Sequence, residues 1–291
     1  MAELIKLRRQ IKSINTNRKI TNAMRLISMS LYSKLEKTNQ VATSYKNYVE
    51  QIFTKLIQSN PTWESPLINP QDPLDTNPLF IFVASTKGFC GAFNNELIQY
   101  FRRNFFIEGH QHPQFITVGK KANEYIKSKK FGNIINNFSE LNSENYITIT
   151  DAIMKLITSP DNNYSSINVY NNTFVNFFVH KPQKNILIPL NLKTLSISNE
   201  KNQSEDTEDL IWEGDKSQIM SHLATKYLRT KILNILFQSL LAEQSARFIA
   251  MDGATTNADK ILEKLNREYN KSRQANITKE LLELSSSFSE N

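Results

Sequence analysis

Proline and glycine are crowded into the middle of this 291-residue chain, and that limits its folding more than any other feature. All nine prolines lie between Pro61 and Pro189. Glycine is absent before Gly88, and only Gly214 and Gly253 follow Gly132. Both ends of the chain are thus long tracts almost free of helix breakers.

Apolar spacing in those tracts is helical. Leu4, Leu7, Ile11 and Ile14 step by 3 and 4, Ile20, Met24, Ile27 and Leu31 resume the pattern, and Tyr45, Tyr48, Ile52 and Leu56 close it. In the last tract Ala254, Ala258, Ile261 or Leu262, Leu265 and Tyr269 step likewise, followed by Ile277, Leu281, Leu284 and Phe288. Such steps describe a narrow coiled-coil seam. At ~1.5 Å per residue the first helix would run about 85 Å and the last about 110 Å. A globule of this chain length is only about 50 Å across. The helices are expected to project and to bury their seams by pairing antiparallel, as a rod on a knob.

The knob is the middle of the chain. "LFIFVAS" (79–85) and "QFITVGK" (114–120) read as strands, each followed by a helical stretch, and a further helix is expected over 143–158. "INVYNNTFVNFFVHKP" (167–182) and "KNILIPLNLKTLSI" (184–197) read as two more strands, paired. This order predicts a small Rossmann-like α/β domain with a largely parallel sheet. The fold class is therefore α/β: a long antiparallel coiled coil of the terminal helices plus that domain. The expected divisions are an N-terminal helix at 1–60, a Pro-rich connector at 61–78, the α/β domain at 79–197, an acidic linker at 198–214 and a C-terminal helix at 215–291.

Charge is unevenly placed. Residues 1–60 carry eleven Lys or Arg against three Glu, whereas the whole chain has a net charge of +7, so the rest is close to neutral. A basic helix bearing Arg8, Arg9 and Lys12 suits an acidic partner. Nucleic acid would call for aromatic platforms nearby, and the first aromatic residue is Tyr32. The single cysteine, Cys90, excludes an internal disulfide and a dithiol switch. No apolar run is long enough to span a bilayer, and a signal peptide's apolar core is absent from the N-terminal residues.

Enzyme chemistry is hard to find. "STKGFCGAF" (85–93) stands where a strand gives way to a helix, the usual place for a phosphate loop, but fits neither common phosphate-binding pattern. Gly88 and Gly91 are better read as supplying positive φ in a tight turn. His110 and His112 are close in sequence, but with His180 and His222 they form no metal-ligand pattern. No cofactor is expected.

Three motifs in order carry a resemblance. "LRRQIKSINTNRKITNAM" (7–24), "STKGFCGAFN" (85–94) and "LLAEQSARFIAMDGATTNADKILEKLNREYNKSRQANITKELLEL" (240–284) resemble segments of the γ subunit of F-type ATP synthases. The resemblance implies the central rotor shaft, non-catalytic by itself, that couples rotation of a membrane c-ring to a ring of three α and three β subunits. The partners implied are α, β, ε and the c-ring, with no nucleic acid. The place implied is the cytoplasmic face of a bacterial inner membrane rather than a mitochondrial one, as part of F1. Carried over by position, Lys19, Met24, Arg25 and Arg247 would lie where the shaft meets the β levers, and Arg273 and Gln274 would touch β loops further along. With the basic triad, these make the expected β contact. Asn22 stands where the family usually has Lys, and Gly253 where a side chain would otherwise stand. Setting Met24 opposite Arg247 predicts facing residue numbers that sum to about 271. The alternatives are a γ-like shaft of an F1-type ATPase with other coupling, a basic coiled-coil nucleic-acid binder, and a small α/β nucleotide enzyme.

Overall fold

A computed structural model describes residues 2–60, 63, 65, 77–108, 113–159, 164–190 and 213–289, the side chains of 2, 107, 108 and 283–289 excepted. Residues 198–212 of the expected acidic linker, most of the Pro-rich connector, His110, His112 and residues 191–197 of the last predicted strand lie outside the described residues.

The terminal tracts are single helices, α1 (Ala2–Ser59) and, at the other end, a helix over Lys216–Ser289. Between them come β1 (Pro78–Val83), α2 (Phe93–Glu108), β2 (Gln114–Val118), α3 (Lys120–Lys129), β3 (Asn133–Phe138), α4 (Tyr146–Ile157), β4 (Ser166–Asn176) and β5 (Val179–Ile188), which makes the last helix α5. The compact units cut across these elements. One unit is Met1–Ser30 with Arg247–Asn291, and the other is Leu31–Ala246.

The larger unit is built on a five-stranded sheet in the order β3-β2-β1-β4-β5. β1 pairs parallel with β2 and β4, β2 parallel with β3, and β4 antiparallel with β5. β1 is buried on both faces and reads as a continuous apolar run, as a central parallel strand must. Its alternate residues serve two cores. Phe80, Phe82 and Ala84 pack with Leu97, Phe101 and Phe105 of α2 and with Ala122 and Ile126 of α3. Leu79, Ile81 and Val83 pack with Ile149, Ile153 and Ile157 of α4, and that core continues into Leu35, Val49 and Phe53 of α1 and Leu228 to Leu241 of α5.

Two expectations fail here. β3, "NIINNF", is an additional edge strand whose three asparagines hide its period. The stretch 167–182 is not one strand: the chain reverses at Phe177–Phe178, and β5 already runs antiparallel from Val179. The turn has neither Gly nor Pro, because the side chain of Asn176 closes it. Its Oδ1 accepts the N–H groups of Phe178 and Val179, both at 2.9 Å.

In the larger unit the seam of α1 also differs from the expected one. Tyr45, Tyr48 and Ile52 are exposed, whereas Leu35, Val49 and Phe53 are buried. Apolar spacing alone offered two stripes, and the inward one keeps the heptad phase set by Leu4 and Leu7.

Candidate interaction surface

The smaller unit is a pair of antiparallel helical segments. Arg18 Nε meets Asp259 Oδ1 at 2.6 Å, Arg25 Nη1 donates to Asp252 Oδ1 at 2.7 Å, and Thr255 Oγ1 lies 2.9 Å from Thr21 Oγ1. The numbers in each pair sum to 276 or 277. The register expected from the motifs, about 271, is therefore wrong by some six residues. The Met24–Arg247 alignment fixed which segments approach but not which turn of one helix meets which turn of the other.

The seam here is apolar at one end and polar at the other. Leu4, Leu7, Ile11 and Ile14 are half-buried on α1, as are Leu262, Leu265 and Tyr269 on α5. From Arg18 onward the same phase places Arg18, Thr21, Arg25 and Ser28 on the side facing α5, with Arg18 exposed, Thr21 and Arg25 half-buried and Ser28 buried, while Ile20 and Ile27 stand exposed. Ile20, Met24 and Ile27, the stripe expected from apolar content, are the more apolar residues. The heptad phase prevails.

The basic residues thus have different fates. Arg8, Arg9, Lys12 and Lys19 are exposed and make no ion pair among the described residues. Arg25 is half-buried and spent on Asp252, and Met24 beside it is half-buried. Arg247 is only 6% exposed. Arg273 and Gln274 are exposed on α5. A Cβ at Gly253 would meet nothing within 4 Å, so no close approach requires that glycine.

The β1–α2 loop of the larger unit has the topology of a nucleotide site. The strand order places a switch point between β1 and β4, where open α/β sheets take ligands. There Asn94 Oδ1 accepts Ser85 N–H at 3.1 Å, and Asn94 Nδ2 donates to Ser85 Oγ at 2.7 Å. Leu141 N–H donates to Thr86 Oγ1 at 3.0 Å, and Lys121 N–H to Ser85 O at 3.1 Å. Phe93, at the start of α2, and Cys90 are buried against Ala242 and Ala246 of α5, whereas Lys87, Gly91, Ala92, Asn95 and Glu96 around them are exposed. Positive φ falls on Phe89 (63°) and Gly91 (59°), not on Gly88. The turn therefore holds a strained phenylalanine that the glycine pattern concealed.

His180 lies 3.3 Å from Glu96 and packs on Phe93. Among the described residues no group of three or more His, Cys, Asp or Glu could hold a metal ion.

Comparison with known proteins decides the family. The sequence profile of the ATP synthase family matches residues 3–289. The ATP synthase gamma chain of Clostridium perfringens is 33% identical over 289 residues, covering 97% of this chain and 96% of its own. This chain belongs to the ATP synthase gamma chain family. A second relative, the gamma chain of Pelagibacter ubique, is 30% identical and is covered over 98% of both chains. Among solved structures, a chain from the Euglena gracilis mitochondrial ATP synthase (OSCP, F1 and c-ring) aligns over 92% of this chain and 94% of its own, with a TM-score of 0.55 at 16% identity. One from the central stalk and c-ring of the Tetrahymena thermophila enzyme aligns over 81% and 99%, with a TM-score of 0.55 at 18% identity. The family is the one that the three motifs resembled, and the mixed α/β fold with long terminal helices is the one expected of it.

Proposed function

We propose that this chain is the central shaft of a bacterial F-type ATP synthase, turned by a c-ring and driving conformational change in a surrounding ring of three α and three β subunits. The observation that carries this reading is the family match along nearly the whole chain, at 97% coverage of a relative named as a gamma chain. The chain is not itself catalytic on this account: its β1–α2 loop fits neither common phosphate-binding sequence pattern. It sits peripherally, in F1, on the cytoplasmic face of the inner membrane. No described helix is long and apolar enough to cross a membrane.

The paired helices supply the stiffness that a rotating part needs to push its neighbours in turn. Arg8, Arg9, Lys12, Lys19, Arg273 and Gln274 are the exposed groups available to acidic and polar loops of β. Complementary charge steers and orients such a contact more than it strengthens it. Met24, Arg25 and Arg247 are less exposed, so their part in that contact is to hold the shape of the shaft. The ε subunit and the c-ring would meet the larger unit.

Native mass spectrometry of the assembly formed with the α and β chains of the same source tests this reading. One copy of this chain per three of each is expected, with no ATP hydrolysis by this chain alone. Equal stoichiometry, or turnover by the isolated chain, would refute it.

A further inference from the structure

We propose that the three polar contacts between α1 and α5 in the smaller unit form a facing lock. They select which side of α1 turns inward.

Residues 18–28 of α1 carry two competing stripes. One, in the heptad phase, is Arg18, Thr21, Arg25 and Ser28: Ser28 is 1% exposed, Thr21 and Arg25 are half-buried, and Arg18 is exposed but reaches across to α5. The other is Ile20, Met24 and Ile27, displaced by one residue, which is a helical rotation of about 100°. Ile20 is 53% and Ile27 60% exposed. Considered as burial alone, this arrangement is inverted, because exchanging the stripes would take two isoleucines out of water and return a threonine and a serine to it. What opposes the exchange is specific. Arg18 reaches Asp259, Arg25 reaches Asp252, and the Thr21 hydroxyl, which donates to Arg18 O, lies against that of Thr255. A turn of α1 by one residue would break all three contacts together. Both ion pairs are partly exposed at the edge of the seam, where such contacts add little stability. Polar positions in a coiled-coil seam serve to fix a unique arrangement, and here they hold Ile20 and Ile27 outward. Under the rotor reading, on which this clause alone rests, that stripe is presented to whatever surrounds the shaft.

Thiol labelling of the full-length chain tests the lock without partner subunits, so its failure is distinct from failure of the rotor reading. Cys90→Ser removes the native thiol, and a cysteine then replaces either Ile27 or Ser28. With the lock intact, a maleimide should label position 27 roughly tenfold or more faster than position 28. In the Arg18→Gln/Arg25→Gln background the preference should reverse. Exchanging both pairs (Arg18→Asp with Asp259→Arg, Arg25→Asp with Asp252→Arg) should restore it. An unchanged preference in the glutamine background would overturn the proposal, since the flanking apolar seam would suffice. Fast labelling at both positions would overturn it too, since the contacts would then hold the helices together rather than choose a face. Failure of the exchanged pairs to restore protection would likewise rule out the ion pairs as selectors.

Discussion

The ring of Phe53 lies almost flat on that of Tyr227, with centroids 4.6 Å apart and planes 17° from parallel. Phe53 belongs to α1 and Tyr227 to α5, and both are buried. Together they tie the two terminal helices of the larger unit to each other. Phe53→Ala removes a fully buried aromatic side chain and should cost about 3–5 kcal/mol. Denaturant unfolding of the full-length chain measures this, and a loss below about 1 kcal/mol would mean the stack is incidental.

Tyr227 also makes the protein sensitive to alkali. Burial, and secondarily the Glu50 carboxylate, push its phenol well above the ordinary tyrosine value. Below about pH 10 the phenol is neutral whether the chain is folded or not. Above that pH the unfolded phenol ionises while the folded one does not, so stability falls as pH rises, by up to about 1.4 kcal/mol per pH unit. Tyr32, Tyr125 and Tyr164 are shifted the same way and add to the slope. Tyr227→Phe should flatten the loss between about pH 9.5 and 11. Equal slopes for variant and parent would contradict this.

Two glycines should respond oppositely to alanine. Gly119 has φ of 91°, and a Cβ there would stand 2.1 Å from Ala84 O. Its N–H donates to Phe138 O at 2.7 Å, which fixes the backbone. Gly119→Ala should destabilise the chain by more than about 2 kcal/mol. Gly253 is helical, exposed and clear of neighbours. Gly253→Ala should raise stability by up to about 1 kcal/mol. Thermal unfolding of both variants checks the pair, and a destabilising Gly253→Ala would reveal a demand for glycine that the packing does not explain.

These contrasts mark how much of the molecule was legible in its sequence. The long helices and the strand–helix alternation were plain, because Pro and Gly placement and apolar period report local structure directly. β3 was not, because an edge strand buries little and tolerates Asn133, Asn136 and Asn137. The hairpin at Phe177–Phe178 was hidden because a side chain, rather than a glycine, closes it. The seam went wrong between Arg18 and Ser28, where apolar content and heptad phase disagree. The register was missed because a repeating seam fits itself again every seven residues, and only long-range pairs such as Arg18 with Asp259 distinguish one fit from the next. A signal was present in retrospect: Arg18 and Arg25 are spaced by a heptad, as are Asp252 and Asp259.

The exposed cations Arg8, Arg9 and Lys12 should matter to assembly and not to folding. Replacing all three with Gln should leave the unfolding midpoint of the isolated chain unchanged. It should weaken association with the α and β ring and reduce the salt dependence of that association. Sedimentation of the mixture from low to high salt reads both. Normal association with unaltered salt dependence would reduce the basic face to a solvated one.

Rotation tests the central claim most directly. A cysteine at Lys129, exposed at the end of α3, can carry a bead in a Cys90→Ser background while the α and β ring is fixed to a surface. With ATP supplied, the bead should turn continuously in one direction and stop when ATP is withdrawn. A bead that stays still, or only fluctuates, while the same immobilised complexes hydrolyse ATP would show that this chain is not the rotor.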